Sequence, residues 1–329
     1  MPANLTHQYH KAEQAYRQAS TPEEELQCLE EMLRELPKHK GTDRLQAELK
    51  QKISKARKDV QSQKSSKKGH SVRIPRQGAG RVVLLGAPNA GKSQFLAQVT
   101  RAQPEVAPYP FTTREPQAGM MPYEDVLIQL IDTPPVTADV MESYMQGLIR
   151  GADLVLALID MGADDGLSLF QAVLERLHNT KTRLGIETCF SDNDIGLSFT
   201  RTYAVWNKID LPDAALRSEL FAEEWQEEFR QFRISALTGE GCDELVRAIF
   251  EALDVVRVYT KLPQAKEPDF TKPFTVRRGG TLADVAALVH KDMARQLRFA
   301  KVWGTAVHDG TTVKGDYVLH DRDIVELHV

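Results

Sequence analysis

The feature that most constrains the fold is a glycine-rich stretch at residues 86–93, which reads G-A-P-N-A-G-K-S. It matches the phosphate-binding loop pattern G-x-x-x-x-G-K-S at every fixed position. The apolar, β-branched run at 81–85 predicts a strand before the loop, and residues 94–99 predict the start of a helix after it. Because loop N–H groups and a helix N-terminus then point at one place, the stretch predicts a phosphate site.

The residue types in this loop indicate how it would hold a nucleotide. Lys92 is expected to reach the β- and γ-phosphates, and the hydroxyl of Ser93 is expected to bind Mg²⁺. A chance glycine-rich turn is the alternative, and the flanking strand and helix patterns argue against it. The residues predicted to surround the phosphates are Gly86, Ala87, Pro88, Asn89, Ala90, Gly91, Lys92, Ser93 and Gln94.

Two oxygen-bearing residues downstream are candidates to complete a magnesium site. The apolar strand pattern at 126–131 ends in Asp132, where a phosphate-loop protein needs a carboxylate near the metal. Thr113 lies in a proline-rich loop at 109–114, and its hydroxyl is a second candidate ligand. A capping role for Asp132 and a plain surface loop around Thr113 are the alternatives. No catalytic residue is identified; Lys92 and Thr113 are the expected contributors.

A second motif, N-K-x-D at residues 207–210, predicts which base the site prefers. Asp210 can accept hydrogen bonds from N1–H and the exocyclic amine of guanine, whereas adenine offers neither donor at those places. Asn207 is expected to tie this loop to the phosphate loop, and the stem of Lys208 is expected to lie against the base. A stretch predicted to add a strand and a backbone N–H for guanine O6 includes Ser235, Ala236 and Leu237.

Composition is that of a globular protein of two or three domains, with 329 residues, 42% of them hydrophobic, and a net charge of −4. The three cysteines, Cys28, Cys189 and Cys242, are too few for a disulfide scaffold and favour a reducing cytoplasm. No apolar run is long enough to predict a membrane span. The N-terminal stretch lacks the apolar core of a signal peptide.

The order of strand and helix patterns predicts three units. Their alternation from 81 to 253 predicts a mostly parallel α/β sheet with helices on both faces. Apolar residues at helical spacing before it predict an antiparallel helical hairpin. After an irregular stretch at 255–271, strand and helix patterns predict a small α+β domain. We expect a hairpin with a basic linker at 1–77, the phosphate-loop domain at 78–262 and the C-terminal domain at 263–329.

Positive charge is concentrated near the N-terminus. Between Lys38 and Arg76, thirteen Lys and Arg residues stand against three acidic ones. A helix this basic is suited to RNA phosphates, and a solvated helix face is the alternative. No DNA partner and no membrane partner are expected.

Taken together, these residues resemble the Obg-type GTPases, and most closely the developmentally regulated GTP-binding (DRG) proteins. The resemblance covers nearly the whole chain. It includes the stretch at 36–42 with the basic helix, the nucleotide motifs, and the Tyr-Pro-Phe-Thr-Thr loop at 109–113. Residues 256–261 and 273–329 look like the family's TGS domain, a β-grasp module. The resemblance implies a phosphate-loop GTPase domain with an N-terminal helical hairpin and a C-terminal β-grasp domain.

The resemblance also implies a function. Such a protein binds GTP and GDP with Mg²⁺ and hydrolyses GTP slowly or with the help of a partner. It acts on ribosomes or RNA through the basic helix and the TGS domain, and a protein regulator is a further implied partner. Asn89 matches the asparagine that coordinates K⁺ in such GTPases, and the alternative for Asn89 is a loop-stabilising side chain.

The chain departs from the family in two places. The family expects D-x-P-G after the third motif strand, whereas residues 132–135 read D-T-P-P. Pro135 has no N–H to offer a γ-phosphate, and Val136 stands where Ras-like proteins carry a catalytic glutamine. The family's extra subdomain, inside the GTPase domain, is missing or shrunken, and only residues 184–200 could represent it. The proline favours an alternative function, that of a non-hydrolysing adaptor that uses the helical hairpin and the TGS domain as interaction modules.

Overall fold

The computed structural model describes residues 6–19, 22–37, 42–65, 74–100, 116–142, 144–180, 182–190, 197–225 and 227–329. In chain order these residues form a helical region, a central α/β domain and a smaller sheet domain. The predicted loop at 109–114, with Thr113, lies outside the described residues. No helix within the described ranges has both the length and the apolar character needed to cross a membrane.

The described N-terminal region contains the helices α1 (His7–Gln18), α2 (Pro22–Glu35) and α3 (Asp43–Ser65). The predicted hairpin corresponds to α2 and α3, but the sequence did not predict α1. That helix is mostly polar, so its apolar stripe is short. Its Tyr9 and Ala12 are nevertheless buried in one cluster with Leu29, Met32 and Leu49 of the other two helices. The region is therefore a helical bundle in which α1 packs on the predicted hairpin of α2 and α3.

The central sheet is built from β1 (Arg81–Leu85), β2 (Gln117–Tyr123), β3 (Val126–Asp132), β4 (Leu154–Asp160), β5 (Thr182–Gly185), β6 (Cys189–Phe190), β7 (Ser198–Asn207) and β8 (Arg230–Arg233). Its order is β2-β3-β1-β4-β7, with β5 and β6 along the first half of β7 and β8 along the second half. Among the described strands, the β2–β3 and β6–β7 pairs are antiparallel and the others are parallel. The predicted mostly parallel sheet is confirmed.

The central domain also contains α4 (Lys92–Val99), α5 (Met145–Arg150), α6 (Gly166–His178), α7 (Ala214–Trp225) and α8 (Cys242–Leu253). Successive side chains of β1 enter different cores. Val82 and Leu84 pack in the cluster that contains Phe95 of α4, whereas Val83 and Leu85 pack in the cluster on the α5 side. A strand buried on both faces has a continuous apolar sequence, which explains the run at 81–85.

The C-terminal domain contains β9 (Val255–Thr260), β10 (Asp269–Arg277), α9 (Leu282–Val289), α10 (Lys291–Gln296), β11 (Phe299–Gly304), β12 (Val307–Val313) and β13 (Asp323–His328). The sheet has the order β10-β9-β13-β11-β12, with β9 and β13 parallel. The sequence T-L-A-D at 281–284 is a capping-box pattern, and Thr281 and Asp284 form that box at the start of α9. The apolar face of α9 packs on the sheet through Leu282 and Val285.

Residues 255–260 correct two expectations. The stretch at 255–271 was expected to be irregular, yet 255–260 form the strand β9, paired with β10 and β13. The C-terminal sheet therefore begins before the expected boundary at residue 263. Val256 and Val258 are buried in the C-terminal core, and this burial stabilises the strand. The prolines at 263 and 268 had led to the expectation of an irregular stretch.

Candidate functional site

The phosphate loop joins β1 to α4 at the carboxyl edge of the central sheet. Gly91 precedes α4 in the left-handed region, with φ 89°, a conformation that favours glycine. A Cβ at Gly91 would collide with the side-chain nitrogen of Asn207, and one at Gly86 would lie 2.5 Å from the carbonyl oxygen of Leu158. The loop backbone is therefore closely enclosed by the residues around it. Glycine is needed at both positions, because any side chain there would collide with a neighbour.

Lys92 is buried at the start of α4. Its ammonium donates to the carbonyl oxygens of Gly86 at 3.0 Å and of Ala87 at 2.9 Å. Burial lowers the pKa of Lys92 to about 8, and the negative charge of Asp132 acts in the opposite direction. The carbonyl dipoles only partly compensate the desolvated charge, so an anionic ligand would be attracted to this cation.

Ser93 and Asp132 lie together beside Lys92. The hydroxyl of Ser93 donates to Oδ2 of Asp132 at 2.5 Å, and Asp132 is fully buried at the end of β3. A hydroxyl and a carboxylate are hard oxygen ligands of the kind that Mg²⁺ prefers. The two residues therefore fit the magnesium site expected from the sequence. When bound, Mg²⁺ supplies positive charge to phosphate oxygens.

Asn207 connects the two nucleotide motifs. Its side-chain nitrogen donates to the carbonyl oxygen of Ala90 at 2.8 Å, and its side-chain oxygen accepts from the N–H of Ala236 at 2.9 Å. The side chain is buried, so losing either bond would leave a buried polar group without its partner. A single amide thus holds the phosphate loop, the end of β7 and the turn after β8 in fixed relative positions.

The rest of the N-K-x-D motif lies at the same edge of the sheet. Lys208 has a φ of 66°, and its ammonium lies 2.5 Å from Oδ2 of Asp160. Asp210 is exposed, where it is accessible to a base. Sequence reasoning missed Asp160, although it follows an apolar strand just as Asp132 does. That shared pattern was the signal that could have found it.

The residues expected to contact guanine O6 form a turn rather than a strand. The strand β8 ends at Arg233, and the hydroxyl of Ser235 accepts from the N–H of Thr238 at 3.1 Å. Ala236 is buried and bonded to Asn207, as described above, while Leu237 is 69% exposed.

The remaining predicted residues lie around the phosphate loop. Asn89 is exposed with a φ of 60°, Pro88 is half-buried, and Gln94 is half-buried in the first turn of α4. Pro88 and Asn89 also line a cavity of about 190 Å³ together with Asp160 and Phe170.

The two consecutive prolines after Asp132 are buried beside the phosphate loop. The hydroxyl of Thr133 donates to the carbonyl oxygen of Leu84 at 2.7 Å, and the N–H of Val136 donates to the carbonyl oxygen of Gly86 at 3.2 Å. The first N–H after the prolines is therefore engaged with the loop itself, and Pro135 has none to offer.

Comparison with known proteins agrees with this geometry. A family model described as 50S ribosome-binding GTPase matches residues 81–188. A model described as TGS domain matches residues 256–329. The two matches cover the phosphate loop with the strands around it and the C-terminal sheet.

Similar proteins extend along almost the whole chain. GTP-binding protein MJ1326 of Methanocaldococcus jannaschii is 29% identical, covering 93% of this chain and 92% of that protein. Developmentally-regulated G-protein 1 of Arabidopsis thaliana is 26% identical, covering 92% and 90%. The solved YchF GTPase of Schizosaccharomyces pombe shares the fold at a TM-score of 0.50 and 13% identity, covering 77% of this chain and 99% of that one.

Proposed function

We propose that this chain, a GTP-binding protein of the developmentally regulated type with a C-terminal TGS domain, hydrolyses GTP slowly to GDP and acts on RNA or the ribosome. The observation that best supports a nucleotide site is the bridge that Asn207 makes between Ala90 and Ala236. It holds a phosphate-binding loop and a base-binding loop at a fixed separation, which is what a nucleotide requires.

Each part of the site has a role in this proposal. Lys92 provides a buried cation for the phosphates, and the loop N–H groups around it provide donors. Ser93 and Asp132 are the candidate ligands for Mg²⁺. Asp210 selects guanine, while the ion pair between Lys208 and Asp160 keeps the base-binding loop against the sheet.

Slow hydrolysis follows from what stands beside the phosphate loop. Val136 has no group that could orient a water molecule, and Pro135 has no N–H for a γ-phosphate. Thr113, the other expected contributor, lies outside the described residues. We therefore propose that acceleration comes from a bound cation or a partner protein. Asn89, exposed on the loop, is the proposed K⁺ ligand.

The test is single-turnover release of phosphate from GTP by the full chain, with K⁺ or Na⁺ as the only monovalent cation. We expect slow release that requires Mg²⁺ and is faster with K⁺. Asp132→Asn should abolish phosphate release, because an uncharged amide replaces the carboxylate that is the candidate Mg²⁺ ligand. Asp309→Asn, at an exposed C-terminal position, is the matched control and should match the native chain.

A second candidate, a non-hydrolysing adaptor, is favoured by Pro135. Guanine nucleotide binding without phosphate release, with either cation, would support the adaptor and contradict hydrolysis. Pro135→Gly separates the causes, because it restores an N–H at that place. A gain in hydrolysis in Pro135→Gly would attribute the low activity to the missing donor.

The proposed RNA contact is narrower than the sequence suggested. Lys50 on α3 is exposed. Arg57, however, pairs with Glu30 on the acidic helix α2 at 2.8 Å, and Lys52 is half-buried. This pair between two helices neutralises part of the positive charge, so the proposal rests on the other lysines of α3, such as Lys50. The free cysteines, at Cys28, Cys189 and Cys242, fit the proposed reducing cytoplasm.

A further inference from the structure

A second polar cavity, of about 610 Å³, opens at the edge of the central sheet opposite the phosphate loop. Arg201 lies in its wall on β7, six positions before Asn207. At the rise of an extended strand, the cavity is therefore roughly 20 Å from the nucleotide motifs. We call it the arginine cavity, after the described residues Arg76, Arg150, Arg201, Arg277 and Arg278 that line it.

These arginines come from different parts of the molecule. Arg76 belongs to the segment before β1, Arg150 ends α5, and Arg277 ends β10 in the C-terminal domain. Arg201 donates to a backbone oxygen, that of Ala252, at 2.8 Å. Because a backbone carbonyl carries no net charge, this hydrogen bond does not neutralise the positive charge of Arg201.

Carboxylates compensate only part of this charge. Asp153 accepts from Arg76 and, at 2.9 Å, from Arg277. Asp254 accepts from Arg278 at 2.8 Å.

The remaining carboxylate lies outside the cavity wall. Glu25 of α2 pairs with Arg150. A sixth guanidinium, that of Arg81, is buried and donates to Gln129 at 3.2 Å, and the backbone N–H of the same residue donates to Asp153 of the cavity wall at 2.8 Å.

Among the described residues, then, six guanidinium groups stand against three carboxylates. Burial is the main reason that the pKa of Arg81 is lowered; the charge of Arg76 acts in the same direction and that of Asp153 acts against it. Guanidinium groups stay protonated under all ordinary conditions. A concave surface with such an excess concentrates anions.

We propose that the arginine cavity binds a compact anion that carries several phosphate groups, at a site separate from the GTP site. The planar guanidinium matches phosphate oxygens with paired N–H donors. The volume is in the range of small-ligand sites, which favours a free oligophosphate over a long polymer. Because Arg201 and Arg277 lie in different domains, a bound anion would also hold the C-terminal domain against the central one.

The experiment uses the full chain with saturating GDP and excess Mg²⁺, so that the phosphate loop is occupied. Inorganic tripolyphosphate is titrated at moderate salt and binding heat is measured. We expect saturable binding at one site per chain. Arg201→Met and Arg277→Met should each weaken it at least tenfold and leave GDP affinity unchanged. Arg295→Met, exposed on α10, is the matched control and should bind like the native chain.

Several outcomes decide the proposal. Unchanged binding in both cavity variants, or an equal loss in Arg295→Met, overturns it. Equally tight binding of a short polyglutamate overturns the preference for phosphate. If a twelve-nucleotide RNA displaces tripolyphosphate, the phosphates belong to RNA; if it does not, they belong to a free oligophosphate. Because Arg277 is 71% exposed, its variant remains informative if Arg201→Met fails to fold.

Discussion

Arg257 on β9 donates to Asp125, in the turn between β2 and β3, at 3.0 Å across the boundary between the two sheets. The same guanidinium pairs with Glu124 in that turn and with Asp321 at 2.6 Å. Only 5% of the Arg257 side chain is exposed. Since β3 ends at Asp132, the pair links the C-terminal domain to the strand that carries the candidate magnesium ligand.

The first prediction concerns the strength of this link. Arg257→Met keeps the aliphatic stem but leaves Asp125 and Asp321 without their cation. We expect a loss of roughly 2 kcal/mol in the free energy of unfolding, because the half-buried carboxylates keep their charge but lose the buried guanidinium that pairs with them. Urea unfolding at neutral pH measures it. Arg322→Met, which removes an exposed partner of Glu124, should cost under about 0.5 kcal/mol.

The second prediction concerns acid. Burial raises the pKa of Asp321, but hydrogen bonds and charge from Arg257 outweigh it and hold that pKa below its usual value. The pKa of Asp125 is also lowered, by Tyr259 and Arg257 against burial. The two carboxylates therefore contribute fully to the free energy of unfolding above about pH 4, the pKa of an aspartate in the unfolded chain. That contribution is lost as the pH falls through their lower pKa values in the folded protein.

The stability difference between the native chain and Arg257→Met should therefore narrow as the pH falls below about 4. Urea unfolding at a series of pH values tests this. A difference that stays constant down to about pH 2.5 would show that the carboxylates do not act through Arg257.

The third prediction concerns the base. Asp210→Asn should shift preference from guanine to xanthine nucleotides by on the order of a thousandfold or more, because the amide suits the C2 carbonyl of xanthine. Competition against a fluorescent nucleotide measures it. Asp213→Asn is the control, because Asp213 is exposed and left-handed, with φ 62°, a conformation that asparagine tolerates. An unchanged preference for GTP in Asp210→Asn would remove the guanine assignment.

The fourth prediction separates binding from stability at Lys92. Lys92→Met should weaken GTP binding by at least about a hundredfold, because the phosphates lose their buried cation. The nucleotide-free chain should be at least as stable as the native one, since burial of this charge is unfavourable. Nucleotide titration and thermal unfolding check the two effects, with Lys266→Met at an exposed position as control. Native affinity in Lys92→Met would refute the phosphate assignment.

The fifth prediction concerns RNA. Lys50→Glu combined with Lys55→Glu and Lys58→Glu should abolish co-sedimentation with ribosomes, whereas Lys52 is retained because it is half-buried. Native binding should weaken steeply with salt, since each neutralised phosphate releases counterions. The single variants Lys50→Glu and Arg247→Glu are also compared. Arg247 is exposed on α8, so Arg247→Glu controls for the effect of reversing one surface charge elsewhere in the protein. Co-sedimentation that survives the triple change would leave α3 as a solvated helix face.

The sequence by itself determined the phosphate loop, the mostly parallel α/β sheet of the central domain, and the capping box at Thr281. These features depend on a few adjacent residues, whose backbone preferences and apolar periodicity act over one element at a time. It did not determine α1 or β9. Both are stabilised by burial against distant elements, through Tyr9 and Val258. The local pattern of apolar residues does not show which distant elements will cover a short segment.

Only the tertiary structure decided how the motifs meet. Asn207 and Ala90 are 117 positions apart, and Arg257 and Asp125 are 132 apart. Their contacts exist because parallel strands bring their carboxyl ends to one edge and because β9 lies beside the turn between β2 and β3. The same packing gathers Arg201 and Arg277 around one cavity. The direction and neighbours of a polar side chain follow from that packing, since a hydrogen bond or ion pair needs a partner that the local chain does not supply.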